Sequence, residues 1–372
     1  MAKEKSGKDA GNNGMNKAQN LMERMLKNST IKLTSPLVDT TIINETEPIQ
    51  TKIPMLNLAL SGKLKGGIQP GIVQLCGESR TFKSSFALTL AAAFLDSDPT
   101  AIVVFFDSEF GTKKEYFAAF GCDISRILWV PFQDIEELSF EYAKQLDGVT
   151  EDDKVMFICD SIGLSSSKRE RENVENQLSK QDLSRPRALK SLFRIITPKI
   201  LLKKKCAIFV NHIYMTLETY AQVQISGGSG SVLASNTILV ITKRKAKDGD
   251  EHVGYEFVLK IFKSRSIRDN ASIPIRVTFE GGIANYSGLC VLAESLGVIR
   301  KGRDGRSGAY VYDSLSGEEV KSLFKEVDSD QEFWELIFKE TDLEYRIENM
   351  YKFGSSEKID VEAEVDISLE VN

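Results

Sequence analysis

Between residues 70 and 280 the apolar positions follow two alternating rhythms. Unbroken apolar runs at Ile72–Cys76, Ala101–Phe106, Ile127–Val130, Val155–Cys159 and Cys206–Val210 read as strands buried on both faces. Between several of them lie segments with helical spacing, one from Ser84 and one across Arg187–Lys204. Strands of this kind separated by helices predict a parallel sheet covered on both sides. After Ser235 the helical spacing stops, and Ile238–Thr242, Tyr255–Ile261 and Ile275–Phe279 predict an antiparallel extension. Residues 1–20 are polar and predict disorder. Leu21, Met22, Met25 and Leu26 then fall on one narrow stripe. A helix so short must dock, either on its own core or on a neighbouring subunit. Residues 285–354 read as a small α/β module ending in an apolar helix with Phe333, Trp334, Leu336, Ile337 and Phe338. No internal repeat appears.

Charge changes this picture less than it first promises. The chain of 372 residues has a net charge of −5, which argues against a polyanionic partner. Residues 355–372, however, hold six acids and one base and account for all of it, so the remaining body is formally neutral. The longest apolar run, around Phe86–Leu95, has about half the ~20 residues of a membrane helix, so no span is expected. No apolar segment follows the amino-terminal lysines, and no secretory signal is expected. Five scattered cysteines without a CxxC predict a reducing compartment and no disulfide framework, and two histidines leave little for a zinc site.

Candidate chemistry sits where strands end. Ile72–Cys76 runs into GESRTFKS, Gly77 to Ser84, and then into a helix. In that context backbone N–H groups cradle phosphates, Lys83 reaches the β/γ oxygens and Ser84 ligates Mg²⁺. Phe82 stands where the phosphate-loop pattern has a second glycine, which degrades the match. An ordinary strand–turn–helix with a chance Lys-Ser reads the same in isolation. Three further strands end in polar groups at the same edge: Asp107-Ser108-Glu109, Asp160-Ser161 and Asn211-His212. Asp160 suits a magnesium water shell, Glu109 suits activation of a water, and Asn211-His212 suits sensing of a terminal phosphate.

The order TKIPMLNLALSG (51–62), GESRTFKS (77–84), FFDSEFG (105–111), FICDSIG (157–163), KSLFRIITP (190–198), VNH (210–212) and FEGGI (279–283) resembles the RecA family of strand-exchange recombinases across residues 45–300. Recombinases of T-even-type bacteriophages share the Phe before the lysine. The resemblance implies an α/β fold: a RecA-like P-loop ATPase core with a mostly parallel central sheet, a short N-terminal oligomerisation helix and a small C-terminal α/β domain. It divides the chain at 1–50, 51–284, 285–354 and 355–372. It implies ATP and Mg²⁺ as cofactors, with Gly77, Glu78, Ser79, Arg80, Thr81, Phe82, Lys83, Ser84 and Ser85 around the phosphates and Ser84 and Asp160 at the metal. Glu109 becomes the catalytic glutamate. Tyr116 falls where the family stacks an aromatic on adenine, although a tyrosine on a helix face is more often core. His212 replaces a glutamine that links the γ-phosphate to the second DNA loop; histidine also donates a hydrogen bond and ordinarily titrates near neutrality. Lys263 and Arg265 match a basic pair that reaches the neighbour's ATP, and otherwise read as a surface cluster.

Two segments, 165–186 and 213–231, have loop composition and match the family's DNA loops. Gly227, Gly228 and Ser229 open a helix toward backbone phosphate, and Arg187 and Arg194 match family arginines that touch the strand, unless they are merely solvated. The implied partners are single-stranded DNA, homologous duplex, further copies in a helical filament, a single-strand-binding protein and a recombination mediator, with no membrane, in the cytoplasm of an infected bacterial cell. The acidic tail is expected to compete with DNA for the basic sites. Two other readings stay open: a ring-forming RecA-core helicase, and a nucleotide-gated scaffold without turnover, to which Phe82 lends weight.

Overall fold

The computed structural model describes residues 5–40, 46–176, 184–216, 222–248, 251–279 and 281–352. Residues 1–46 form one unit and 47–372 another. The first carries α1 (Lys5–Asn28), which begins well before the expected apolar turn. Once a helix is nucleated each further residue adds a hydrogen bond at little cost, so the polar segment from Lys5 extends the helix where disorder is expected. Leu21, Met22 and Met25 remain exposed on it.

In the larger unit α2 (Pro54–Ser61) has proline at its first turn and stops at Gly62, whose φ of +78° is free for glycine. β1 (Gly71–Gly77) is buried along its whole length. It feeds α3 (Lys83–Ser97), after which come β2 (Ile102–Asp107), α4 (Lys114–Ala119), β3 (Ile127–Pro131), α5 (Ile135–Asp147), β4 (Val155–Asp160), α6 (Lys168–Glu175), α7 (Ser184–Leu202), β5 (Cys206–Met215), β6 (Val223–Ile225) and α8 (Ser229–Ala234). β7 (Thr237–Asp248), β8 (Glu251–Lys263), β9 (Ser272–Thr278) and β10 (Gly282–Ile283) complete the sheet. Its order is β10-β9-β8-β7-β1-β5-β4-β2-β3, with β6 paired to β5.

The strands from β7 to β3 in that order run parallel, and β8, β9 and β10 run antiparallel. Ile238–Thr242 was expected in the antiparallel block, yet β7 pairs parallel to β1. A parallel return needs a crossover, and the segment carrying β6 and α8 supplies it. Two apolar layers sandwich the sheet. One joins α2 and α3 to β1, β8 and β9; the other joins α5 and α7 to β2, β4 and β5, where the Tyr142 ring stacks on Phe106 at 4.7 Å and faces Phe209 at 5.8 Å.

Residues 285–352 add α9 (Leu289–Ser295), a three-stranded antiparallel sheet of β11 (Arg300–Asp304), β12 (Ser307–Asp313) and β13 (Glu319–Leu323), then α10 (Gln331–Glu340) and α11 (Leu343–Tyr351). Trp334 is fully buried and its indole N–H donates to the Val327 carbonyl at 2.7 Å. The Tyr351 hydroxyl donates to the Ser272 carbonyl, tying α11 to β9. No helix among the described residues is long and apolar enough to cross a membrane.

Candidate nucleotide site and the loops beside it

β1 ends at Gly77, where a Cβ would lie 2.5 Å from Thr81 Oγ1 and 2.7 Å from the Ile241 carbonyl, so only glycine fits. The loop then turns through two residues in the left-handed region, Arg80 at φ +62° and Phe82 at φ +65°. The cost to a side chain there is about 1–2 kcal/mol. At Phe82 packing offsets it: the ring stacks on Phe257 at 5.0 Å and meets Phe86 and Phe120 edge-on. Phe82 thus holds the glycine-like conformation that the phosphate-loop pattern calls for at this position. Thr81 Oγ1 and Lys83 Nζ both donate to the Glu78 carbonyl, which folds the loop back on itself. Burial pulls the Lys83 ammonium below its ordinary range, while Asp160 and Glu109 push it back up.

The carboxylates come from neighbouring strands in register: Asp107 ends β2 opposite Asp160, which ends β4. Asp107 is buried and holds no free edge. It accepts the Glu109 and Phe110 N–H groups at 3.0 and 2.9 Å and the Trp129 indole N–H at 3.0 Å. This fixes the turn that presents Glu109. The Glu109 carboxylate accepts the Ser161 hydroxyl at 2.8 Å, and His212 Nε2 stands 4.0 Å from the same oxygen. His212 and then Ser161 hold its carboxyl below the usual range against partial burial. Burial pushes Asp160 up to about 6, with Glu109 and Asp107 adding and the Ser84 hydroxyl opposing. Asp160 Oδ1 and His212 Nε2 are both buried without a hydrogen-bond partner among the described residues. Two orphaned polar atoms in one place ask for a ligand.

Ser84, Glu109, Gly111, Thr112, Tyr116 and Asp160 line one cleft of about 660 Å³. Tyr116 is partly exposed there, its hydroxyl sharing a 2.5 Å hydrogen bond with Ser85. Lys263 and Arg265 lie elsewhere. Lys263 Nζ donates to the Val232 and Leu233 carbonyls at the end of α8, and Arg265 lines a separate small pocket beside Pro70 and Asn236. A larger groove of about 930 Å³ between Ile49, Phe82, Ala92 and Ile283 shares only Phe82 with the Gly77–Ser84 loop.

Residues 15–284 match the RecA N-terminal domain family. Over 350 residues the chain is 38% identical to the "Recombination and repair protein" of Enterobacteria phage T4, covering 93% of this chain and 90% of that protein. It is also 25% identical over 262 residues to "Protein RecA" of Mannheimia haemolytica, covering 68% of this chain and 67% of that one. The chain belongs to the RecA family. Within it the chain is a RecA-like DNA recombinase of the UvsX type.

In this recombinase the two loop segments are more ordered than their composition promises. Within 165–186, α6 is a helix started by a reciprocal cap, Ser167 Oγ accepting the Glu170 N–H at 3.1 Å while the Glu170 carboxylate accepts the Ser167 N–H at 2.8 Å. Within 213–231, β5 continues to Met215 and pairs antiparallel with β6. Residues 177–183 and 217–221 lie outside the described residues. Gly227 and Gly228 have φ of +92° and +80°, and Ser229 opens α8. Arg187 and Arg194 are exposed on α7 with Lys190 between them. Sequence reasoning missed Asp107, Ser161 and Trp129 as organisers of Glu109. A strand-end acid followed two residues later by Glu109 was a signal for Asp107; Trp129 gave none, because its link to Asp107 depends on how β3 and β2 pair.

Proposed function

We propose that this recombinase is a DNA-dependent ATPase that assembles on single-stranded DNA as a helical filament, pairs it with homologous duplex and exchanges strands. The observation that carries the reading is the convergence of Ser84, Glu109 and Asp160 on one cleft, with His212 Nε2 4.0 Å from Glu109, Lys83 electrostatically coupled to both acids, and Asp160 Oδ1 and His212 Nε2 unpaired among the described residues. Gly77 to Ser85 would hold the phosphates of ATP through backbone N–H groups, and Tyr116 would cover adenine. Ser84 and the orphaned Asp160 oxygen fit Mg²⁺, which when bound neutralises phosphate charge. Glu109, held through one oxygen by Ser161, takes a proton from water with the other. His212 Nε2 donates to the γ-phosphate, and its backbone carbonyl receives the Ser226 N–H at 2.9 Å, which connects the cleft to the second DNA loop.

Lys263 and Arg265, being away from their own cleft, would complete that of a neighbour, and the exposed stripe of α1 would dock on the adjoining copy. Residues 51–284 would form the ATPase core, 285–354 a small module and 355–372 a detachable tail. Arg187, Arg194 and the Gly227–Ser229 turn would hold DNA through its phosphates, leaving sequence choice to base pairing. A single-strand-binding protein and a mediator would act on the same filament, in the cytoplasm of an infected bacterial cell. A joint-molecule assay tests the whole scheme: wild type should form D-loops with ATP and Lys83→Ala should form none while still folding. D-loops from Lys83→Ala, or negligible ATP turnover by the wild type on saturating single-stranded DNA, would overturn it.

A further inference from the structure

Arg185 lies in the first turn of α7 with its guanidinium turned inward. Its Nε donates to the Ser165 carbonyl at 2.8 Å, and Nη2 donates to the Ile162 and Gly163 carbonyls at 3.0 and 2.6 Å and reaches Ser226 Oγ at 3.3 Å. Three of these acceptors belong to the chain leaving β4 and the fourth to the end of β6. Ser226 Oγ itself donates to the Gly163 carbonyl at 3.2 Å, so the two segments are joined twice. Asn211 Nδ2 donates to the Ser226 carbonyl at 3.0 Å, and Gly163 packs so closely on His212 that a Cβ there would meet the imidazole Cδ2 at 2.3 Å. Taking a cation out of water is costly unless its N–H groups find partners, and burial indeed draws the Arg185 guanidinium below its ordinary range. Arg187, two residues on, faces solvent.

We propose that Arg185 is a positioning residue that bolts the roots of the two DNA loops, residues 162–165 and Ser226, into one unit, and that it does not itself hold DNA phosphate. The inference rests on the assignment of 165–186 and 213–231 as the DNA loops. Without the bolt each loop keeps its own charges but no longer presents them in register with the other. DNA affinity then falls by the same factor at every salt concentration. A lost phosphate contact behaves differently, lowering the salt slope by about 0.7 on single strands.

The test measures single-stranded DNA binding across a salt series for the full chain with nucleotide, together with amide hydrogen exchange without DNA. Arg185→Ala should weaken binding about tenfold with an unchanged salt slope, and should raise exchange at 162–166 and 222–227 together. Ser226→Ala, which removes one hydroxyl and spares the fold, should weaken binding severalfold, and the double variant should be no weaker than Arg185→Ala because both remove one device. A salt slope reduced by about 0.7 in Arg185→Ala, additive losses in the double variant, or exchange that rises in one segment alone would overturn the proposal. Arg187→Ala and Arg194→Ala separate the two levels: if neither changes the slope, the assignment of the DNA face fails, and the exchange result still decides whether the bolt exists.

Discussion

Phe82 shows how a single side chain can meet a requirement usually met by having none. Its backbone holds φ at +65°, a conformation glycine reaches freely, and its ring is fixed by Phe86, Phe120 and Phe257. Relief of the strain is worth about 1–2 kcal/mol, whereas losing a partly buried phenylalanine packed on three aromatic rings costs about 3 kcal/mol. Phe82→Gly should therefore lower stability by roughly 1–2 kcal/mol, read as a shifted urea midpoint, although the loop would match the phosphate-loop pattern better. An unchanged or higher midpoint would mean the aromatic cluster contributes nothing. Trp129 acts at a distance from the chemistry, since its indole N–H donates to the Asp107 carboxylate that shapes the Glu109 turn. Trp129→Phe keeps an aromatic ring and removes the donor. Under the proposed mechanism kcat for ATP should fall about tenfold, or about 1.4 kcal/mol, with nucleotide affinity within twofold of wild type. Equal losses in both would show the indole to be general support.

At the level of elements, the inner strands β1, β2, β4 and β5 follow their apolar rhythm closely, because residues buried on both faces leave little choice of partner or period. β3, read as buried on both faces, instead lies at the sheet edge and exposes Leu128 and Trp129. The segments 165–186 and 213–231 do not follow theirs. Residues 168–175 are almost wholly polar, yet they form α6, since its start is set by the Ser167–Glu170 cap and by the Arg171 contact to Asp134 at 3.1 Å. Composition reads solvation there, and only the two hydrogen bonds of the cap reveal a helix. Ser167→Ala should cost α6 about 1 kcal/mol, seen as several-fold faster amide exchange across 170–175 with the global unfolding midpoint nearly unchanged. Exchange at the wild-type rate would place the stability of α6 in other contacts.

For the whole molecule the charge distribution matters more than its sum. A neutral body carries exposed cations on α7, and eighteen residues at the end carry the entire net charge of −5. Those residues lie outside the described part of the structure. Deleting 355–372 should raise affinity for duplex DNA and steepen its salt dependence, because a tethered polyanion competes with DNA for the same cations. Unchanged affinity and slope would make the tail a solubilising appendage.

The sequence by itself determined the strand–helix alternation, the Gly77–Ser84 loop between β1 and α3 and the acids at two strand ends, because burial period and local loop chemistry are written in neighbouring residues. Tertiary structure alone decided that Asp107 and Trp129 stand behind Glu109, that β7 lies parallel to β1, and that Arg185 turns inward while Arg187 turns out. Each of these depends on which strands pair and which backbone carbonyls meet across a gap of tens of residues, and a carbonyl is the same in every amino acid.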